Sequence, residues 1–276
     1  MNRYKKMFLK LSKKKEKCFI PFIILGDPNL KISILIIKTL IKNGADALEI
    51  GFPFSDPLSD GIIIQKSHKR ALRNKISIKK LFLSIKKIRL KYSKIPIGVL
   101  IYSNLIFNYG IKKFYSKCSQ SGIDSTLIPD VPLVESYEFE KYALKKKICS
   151  IFICPPNASK NLIKKICLKN QGYIYLTSQA GVTGIKKKLS FTKNKNIKNL
   201  INHSHHPVVQ GFGIATKKHI RKILKTKISG VICGSVIIKK ILKYKKNTKK
   251  MLIKIKKLIL KLKSSTILNN KKKKRI

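Results

Sequence analysis

The stretch CFIPFIILGDPNLKISILIIKTLIKNGADALEIG, residues 18–51, holds two apolar segments of strand length with a helical segment between them. Residues 18–25 and 47–51 are nearly continuous apolar runs, whereas apolar side chains recur at helical spacing in residues 31–44. Continuous apolar strands separated by amphipathic helices are typical of a parallel sheet that is covered on both faces. The stretch therefore predicts one strand–helix–strand unit of an α/β protein.

The same alternation continues along the rest of the chain. Further apolar runs of strand length occupy residues 97–102, 125–128, 149–153, 172–178, 207–211 and 230–233. Eight such units fit a (β/α)8 barrel better than a doubly wound sheet. We therefore expect a single (β/α)8 TIM barrel over residues 1–263, with an extra N-terminal helix at residues 3–14. A basic, disordered tail is expected at residues 264–276.

The charge of the chain is strongly one-sided, with 63 lysines and arginines, 11 acidic residues and a formal net charge of +52. Such a balance is common in proteins that bind nucleic acid or anionic membranes. Only six of the basic residues are arginine, however, and the lysines are spread over every predicted helix. Together with the excess of isoleucine and asparagine, this indicates a compositional drift of the whole chain. We expect no specific nucleic-acid partner.

The apolar runs argue against a membrane protein, and the cysteines argue against a metal-binding or disulfide-bonded protein. No apolar run approaches the roughly 18 residues that a membrane span needs, so we expect a cytoplasmic protein without a membrane partner. The six cysteines have no C-x-x-C spacing, and four lie in or beside apolar strand-like runs. This pattern predicts reduced, buried thiols and no metal site.

Acidic residues are concentrated near the second predicted strand, because residues 46–60 hold four of the eleven. Glu49 is the only charged residue within any predicted strand, and strand alternation directs it to the side opposite its neighbours, into the barrel. Asp60 lies in the following loop, at the face where barrel enzymes build their sites. The two carboxyl groups are thus candidates for acid/base catalysis. The residues alone also permit a buried glutamate satisfied by a tyrosine, and ordinary turns at Asp56-Pro57 and Asp60-Gly61.

Glycines at the far end of the chain predict an anion site. Gly211-Phe212-Gly213 follows the seventh strand, and Gly234-Ser235 begins the helix after the eighth. Such positions let backbone N–H groups approach a phosphate. Thr183 and Gly184, in the loop after the sixth strand, are further candidates. Between the polar ends lie Phe22, Leu100, Leu127, Tyr175 and Phe212, which suit a flat aromatic group with a phosphorylated side chain, although each could serve packing alone.

The chain resembles the tryptophan synthase alpha chain family over nearly its whole length. The resemblance rests on PFIILGDP (21–28), GADALEIGFPFSDPLSDG (44–61), YSNLIFNYG (102–110), IPDVP (128–132), FICPPN (152–157), GVTG (181–184), QGFGI (210–214) and GS (234–235). It implies a TIM barrel that cleaves indole-3-glycerol phosphate to indole and glyceraldehyde 3-phosphate, in the last steps of tryptophan biosynthesis. No cofactor is implied for this chain. The implied partner is a pyridoxal-phosphate-bearing beta chain, in an alpha2-beta2 tetramer.

The resemblance also implies residue roles. Glu49 would be the acid/base that shuttles a proton, Asp60 would hold the indole N–H, and Tyr175 would position Glu49. Gly184, Gly213, Gly234 and Ser235 would bind the phosphate. The loops expected to contact the partner carry Phe54, Asp56, Pro57, Leu58, Asn104, Asn108 and Pro132.

Two segments depart from the family pattern, and both lie in expected mobile loops. Members usually carry arginine after the serine of the sixth strand, where this chain has Ser178-Gln179-Ala180, and Pro-Thr where it has Ile62-Ile63. The alternative hypothesis is therefore a regulatory alpha subunit that activates its beta partner with little turnover of its own. A nucleic-acid-binding barrel and another phosphate-binding barrel fit less well.

Overall fold

The structure is a computed structural model that describes residues 2–177, 198, 200–202, 204–211, 213–214 and 216–267. The strands are β1 Cys18–Ile24, β2 Leu48–Gly51, β3 Ile97–Leu100, β4 Ser125–Leu127, β5 Cys149–Ser150, β6 Ile153–Cys154, β7 Ile174–Leu176, β8 Val208–Gln210 and β9 Gly230–Cys233. The helices are α1 Arg3–Lys13, α2 Leu30–Lys42, α3 Ile62–Leu72, α4 Ile78–Lys91, α5 Ser103–Tyr109, α6 Ile111–Ser121, α7 Tyr137–Lys145, α8 Lys160–Lys169, α9 Lys217–Leu224, α10 Ser235–Tyr244 and α11 Thr248–Lys263.

Polar side chains mark where several of these helices begin. The side chain of Asn29, for example, accepts a hydrogen bond from the backbone N–H of Ile32 at 2.9 Å and so caps α2. The buried positions of α2 include Ile36, Ile37 and Leu40, which recur at helical spacing and face the sheet. The same capping role falls to Asn2, Ser77, Ser159, Thr216 and Asn247. Local sequence thus fixes the helix starts, and burial fixes their orientation.

The strands form one parallel sheet. Within the described ranges its order is β5-β4-β3-β2-β1-β9-β8-β7-β6. The fifth predicted strand is divided into β5 and β6: the N–H of Ile151 still bonds Thr126 O on the β4 side at 2.9 Å, whereas Phe152 O accepts the N–H of Tyr175 on the β7 side at 3.0 Å. The chain thus changes neighbours within two residues, and this step closes the sheet. The predicted (β/α)8 barrel is confirmed.

Two apolar layers pack on the sheet. Leu48 and Ile50 belong to the outer layer between strands and helices, whereas Phe22, Leu100 and Tyr175 belong to the inner layer. Glu49 lies between Leu48 and Ile50 on β2 and therefore faces the interior, as its alternation predicts.

The predicted N-terminal helix is also present, as α1. Its Tyr4 is buried at the N-terminal end of the barrel, where its hydroxyl lies 2.9 Å from Ser125 Oγ. The ring of Tyr4 also packs against that of Tyr173, with centroids 5.4 Å apart. The helix thus fills the end of the barrel opposite the candidate site.

The C-terminal segment is packed four residues beyond the predicted barrel boundary at residue 263. Lys17 N–H bonds Thr266 O at 2.9 Å, and Thr266 is fully buried. Lys263 Nζ binds Asp46 at 2.8 Å and Glu16 at 3.1 Å, which ties α11 to the start of β2. Residues 268–276 of the expected tail lie outside the described residues. The described helices include none that is long and apolar enough to cross a membrane.

Candidate active site

Glu49 lies inside the barrel, with only 3% of its surface exposed. Its backbone is fixed by parallel pairing with Phe22 of β1 and Gly98 of β3. The hydroxyl of Tyr173 donates a hydrogen bond to Glu49 Oε1 at 3.1 Å. A strand position with one neutral donor therefore holds this carboxyl group in an apolar interior.

Burial raises the pKa of Glu49 to about 8, from an ordinary value of 4.5. The hydrogen bond from Tyr173 acts in the opposite direction, and the nearby charge of Asp60 adds a smaller increase to the pKa. With this pKa, most of Glu49 is protonated at neutral pH. The group can therefore give up a proton and take one back within the physiological range.

Asp60 lies in the loop between β2 and α3 and is 4% exposed. Its Oδ2 atom accepts a hydrogen bond from the hydroxyl of Tyr102 at 3.0 Å and lies 3.2 Å from His68 Nε2. Its Oδ1 atom accepts no hydrogen bond from the residues that the structure describes. Within the described part of the chain, the carboxylate is thus anchored through Oδ2.

One cavity contains both carboxyl groups and most of the predicted binding residues. The cavity, counted together with the solvent space at its open mouth, has an empty volume of about 450 Å³. Its described lining is Phe22, Glu49, Asp60, Ile64, Leu100, Tyr175, Gly213, Ile214, Ile232, Gly234 and Ser235. Leu127 packs in the same inner layer without lining the cavity. Carboxyl groups, apolar side chains and glycines in one lining suit a ligand with an aromatic and an anionic part.

Gly213 and Gly234 form a second polar part of the cavity lining. Gly213 has a φ of 70°, a conformation that other residues rarely adopt. Gly234 precedes α10 and carries no side chain to cap it, so the N-terminus of this helix is open to an anion. A Cβ atom at Gly234 would lie 2.8 Å from Cδ1 of Phe22, which explains why glycine is needed there.

Some predicted residues lie outside the described part of the chain. These are Thr183, Gly184 and Phe212, together with the departure at Ser178-Gln179-Ala180. The other departure is described: Ile62 begins α3 and is exposed, whereas Ile63 is half-buried beside the inner layer.

The structure adds three residues around the two carboxyl groups. Tyr173 donates a hydrogen bond to Glu49, whereas Tyr175 lines the cavity, and its role in positioning Glu49 stays a prediction. Tyr102 and His68, which contact Asp60, were not predicted. Strand alternation from Leu100 points to Tyr102, two residues further on. Helical spacing from Ile64 points to His68, one turn along the same face of α3.

The residues predicted for the partner interface lie near the mouth of the barrel. Asp56, Leu58, Asn104, Asn108 and Pro132 are exposed. Phe54 is half-buried against Tyr102, and Pro57 is buried, so a direct contact of Pro57 with a partner would require the loop to move. Exposed apolar side chains at Leu58, Phe107 and Val134 give these loops the mixed surface that protein interfaces use.

The described lining of the cavity contains no cysteine. All six cysteines are free, and five of them are buried. In the residues with described placement, no group of three or more His, Cys, Asp or Glu side chains is arranged to hold a metal ion.

Comparison with known proteins agrees with this geometry. The family model for the tryptophan synthase alpha chain matches residues 8–267. The tryptophan synthase alpha chain of Buchnera aphidicola subsp. Schlechtendalia chinensis is 55% identical over 268 residues, covering 97% of this chain and 100% of the relative. That of Escherichia coli (strain 55989 / EAEC) is 42% identical over 266 residues, covering 96% and 99%.

Solved structures give the same result. Tryptophan synthase subunit alpha from Legionella pneumophila str. Paris has a TM-score of 0.88 at 29% identity, covering 96% of this chain and 98% of that one. A chain of the tryptophan synthase a2b2 complex from Pyrococcus furiosus has a TM-score of 0.81 at 29% identity, covering 90% and 98%. With its barrel, its carboxyl pair and these relatives, the chain belongs to the tryptophan synthase alpha chain family.

Proposed function

We propose that Glu49 and Asp60 together cleave indole-3-glycerol phosphate in this chain. As a member of its family the chain is a lyase of tryptophan biosynthesis, which converts this substrate to indole and glyceraldehyde 3-phosphate. The observation that carries the residue roles is a buried Glu49 with a pKa of about 8 in one cavity with Asp60.

The cleavage requires two proton transfers, and Glu49 can make both. Protonated Glu49 gives its proton to the ring carbon that bears the glycerol side chain, which places positive charge on the ring nitrogen. The carboxylate left on Glu49 then takes the proton of the adjacent glycerol hydroxyl as the carbon–carbon bond breaks. The bonding electrons return to the ring, which restores its aromaticity, and the former hydroxyl carbon becomes the aldehyde. Glu49 ends protonated, so the cycle is complete without a cofactor in this chain.

Asp60 stabilises the charged intermediate. Its Oδ2 atom is held by Tyr102 and His68, so Oδ1 is the oxygen available to accept the hydrogen bond of the ring N–H. A carboxylate that is already oriented stabilises the positive charge as it forms, without reorganisation.

The glycine end of the cavity would hold the phosphate. Gly213, Gly234 and Ser235 line it, and the start of α10 adds the partial positive charge of a helix N-terminus. Phe22, Leu100 and Tyr175 would contact the indole ring between the two ends. Thr183, Gly184, Leu127 and Phe212 stay predictions of further substrate contacts.

The test is an indole-release assay on the purified chain. Glu49→Gln and Asp60→Asn should each lower indole formation by about 100-fold or more, the range expected for lost acid/base or electrostatic catalysis. Glu138→Gln, the same chemical change on the exposed face of α7, is the matched control. Near-normal turnover in either cavity variant would remove that residue from the mechanism, and no turnover by the unmodified chain would favour a purely regulatory subunit.

We further propose a beta-chain partner that carries pyridoxal phosphate and assembles as alpha2-beta2. The Pyrococcus furiosus relative is part of an a2b2 complex, and the exposed loop residues Asp56, Leu58, Asn104, Asn108 and Pro132 surround the barrel mouth here. Since Asp56 and Asp60 share a loop, docking there would affect catalysis. Asp56→Ala should reduce activation by the partner far more than basal indole release. Loss of basal activity would contradict an interface role. A cytoplasmic location stays a prediction.

A further inference from the structure

His68 lies on α3 between the loop after β2 and the carboxylate of Asp60. Its side chain is fully buried. Its Nδ1 atom accepts a hydrogen bond from the backbone N–H of Phe54 at 3.0 Å, and its Nε2 atom lies 3.2 Å from Asp60 Oδ2. The imidazole ring therefore bridges two points of one loop, six residues apart.

The contact with Phe54 determines the tautomer of the ring. A backbone N–H can only donate, so Nδ1 must present a lone pair and cannot carry a proton. The proton of the neutral ring then lies on Nε2, where it is donated to Asp60. Nδ1 thus accepts a hydrogen bond from the backbone of Phe54, and Nε2 donates one to the carboxylate of Asp60.

The residues around His68 hold it rigidly. Its neighbours on α3, Ser67 and Arg70, both bind the buried carboxylate of Asp27, with Arg70 making two hydrogen bonds of 2.8 and 2.6 Å. The ring of Phe54 stacks on that of Tyr102, with centroids 4.9 Å apart. The helix that carries His68 and the loop that it bridges are therefore both anchored.

We propose that His68 is a positioning residue for Asp60. By donating to Oδ2 from a ring that is itself oriented by Phe54, it keeps Oδ1 directed at the cavity and makes the orientation of Asp60 depend on the conformation of the loop. Tyr102 donates to the same oxygen and also interacts with Ser59 of the loop. The ring of His68 adds a separate link, to the loop backbone at Phe54. The proposal rests on the proposed role of Asp60.

A pair of His68 variants separates hydrogen bonding from packing. His68→Phe keeps a flat ring and removes both hydrogen bonds, so kcat for indole release should fall by about 10- to 100-fold with little change in KM, as expected when a catalytic group loses its orientation. His68→Gln keeps one donor and one acceptor at a similar spacing and should recover most of the lost kcat. Tyr115→Phe removes the 3.4 Å contact of another buried side chain with Thr126, and as the control it should leave kcat unchanged.

Asp60→Asn, measured alongside, shows whether a negative result concerns the role of His68 alone or the role of Asp60 as well. If it abolishes turnover while His68→Phe is as active as the unmodified protein, the positioning role is wrong and the role of Asp60 stands. Equal losses in the Phe and Gln variants would also overturn the inference. If Asp60→Asn is itself fully active, the proposed function fails and the inference fails with it.

A measurement on the unmodified protein does not depend on how well the variants fold. Nitrogen-15 NMR of histidine-labelled protein distinguishes a protonated ring nitrogen from one with a lone pair. We expect the Nε2–H tautomer for His68, identified by the loss of its signals in His68→Gln. An Nδ1–H tautomer would rule out the bridge.

Discussion

Replacing Glu49 by glutamine should make the protein more stable at neutral and alkaline pH. In the folded protein burial raises the pKa of Glu49 to about 8, whereas 4.5 is its ordinary value and applies to the unfolded chain. Each unit of difference corresponds to ~1.4 kcal/mol, so the shift from 4.5 to about 8 amounts to about 5 kcal/mol.

The direction of this pH effect on the free energy of unfolding depends on whether the folded or the unfolded protein holds the proton of Glu49 more tightly. Below pH 4.5 Glu49 is neutral in both the folded and the unfolded protein, so it does not change the free energy of unfolding with pH. Between pH 4.5 and about 8 the unfolded chain loses the proton while the folded protein keeps it, so the free energy of unfolding falls as pH rises. Above about pH 8 both states are ionised, and the loss is complete. The Glu49→Gln variant has no such loss at any pH, because its amide does not ionise.

Urea unfolding of both proteins across this pH range measures the effect. The difference in unfolding free energy between Glu49→Gln and the unmodified protein should grow by about 5 kcal/mol from the acid end to the alkaline end. Glu138→Gln, with its side chain on the surface of α7, controls for the chemical change itself. A difference that stays constant with pH would show that Glu49 is already ionised in the folded protein. It would then have no proton to give to the substrate at neutral pH.

Two further variants test the groups around the same cavity. Tyr173→Phe removes the hydrogen bond that lowers the pKa of Glu49, so the alkaline limb of the pH profile of kcat/KM should move to higher pH, and an unmoved limb would contradict this assignment. Gly234→Ala places a Cβ atom 2.8 Å from Phe22 Cδ1 at the glycine end of the cavity. We expect KM to rise about 10-fold, equivalent to ~1.4 kcal/mol of binding, and glycerol phosphate to compete correspondingly less well. Unchanged affinity would place the phosphate elsewhere.

The barrel and the location of Glu49 could be predicted because both depend on local patterns. Apolar runs and helical spacing recur through the whole chain, and a two-residue period decides which way Glu49 points. The division of the fifth strand could not be predicted in this way. Ile151 and Phe152 bond different neighbouring strands, and the residue at which the change occurs depends on the closure of the whole sheet.

The partners of the two carboxyl groups were harder to predict, for a related reason. Tyr173 and Tyr175 point to the same side of one strand, and sequence alone does not tell which of them reaches Glu49. His68 meets Asp60 only because α3 is fixed against the sheet through other contacts. Helical spacing places His68 on the same face of α3 as Ile64, but its contact with Asp60 emerges only from the tertiary structure.

The buried acidic side chains of the site differ from the other buried acidic side chains in their pairing with arginine and lysine. Four acidic side chains are buried, and two of them, Asp27 and Asp124, pair with arginines. Glu49 and Asp60 make no ion pair with Lys or Arg among the described residues, although the chain has 63 such residues. Their described hydrogen bonds come from tyrosine hydroxyls and an imidazole instead.

This difference matters for the chemistry. An ammonium or guanidinium group beside Glu49 would lower its pKa and remove the proton that cleavage requires. A cation paired with Asp60 would already neutralise the carboxylate. Its negative charge would then no longer stabilise the positive charge on the ring nitrogen of the intermediate. Keeping both carboxyl groups among neutral donors lowers the stability of the fold but keeps each in the state that its proposed role demands. The same excess of lysine that dominates the surface would thus inactivate this cavity if it extended inside.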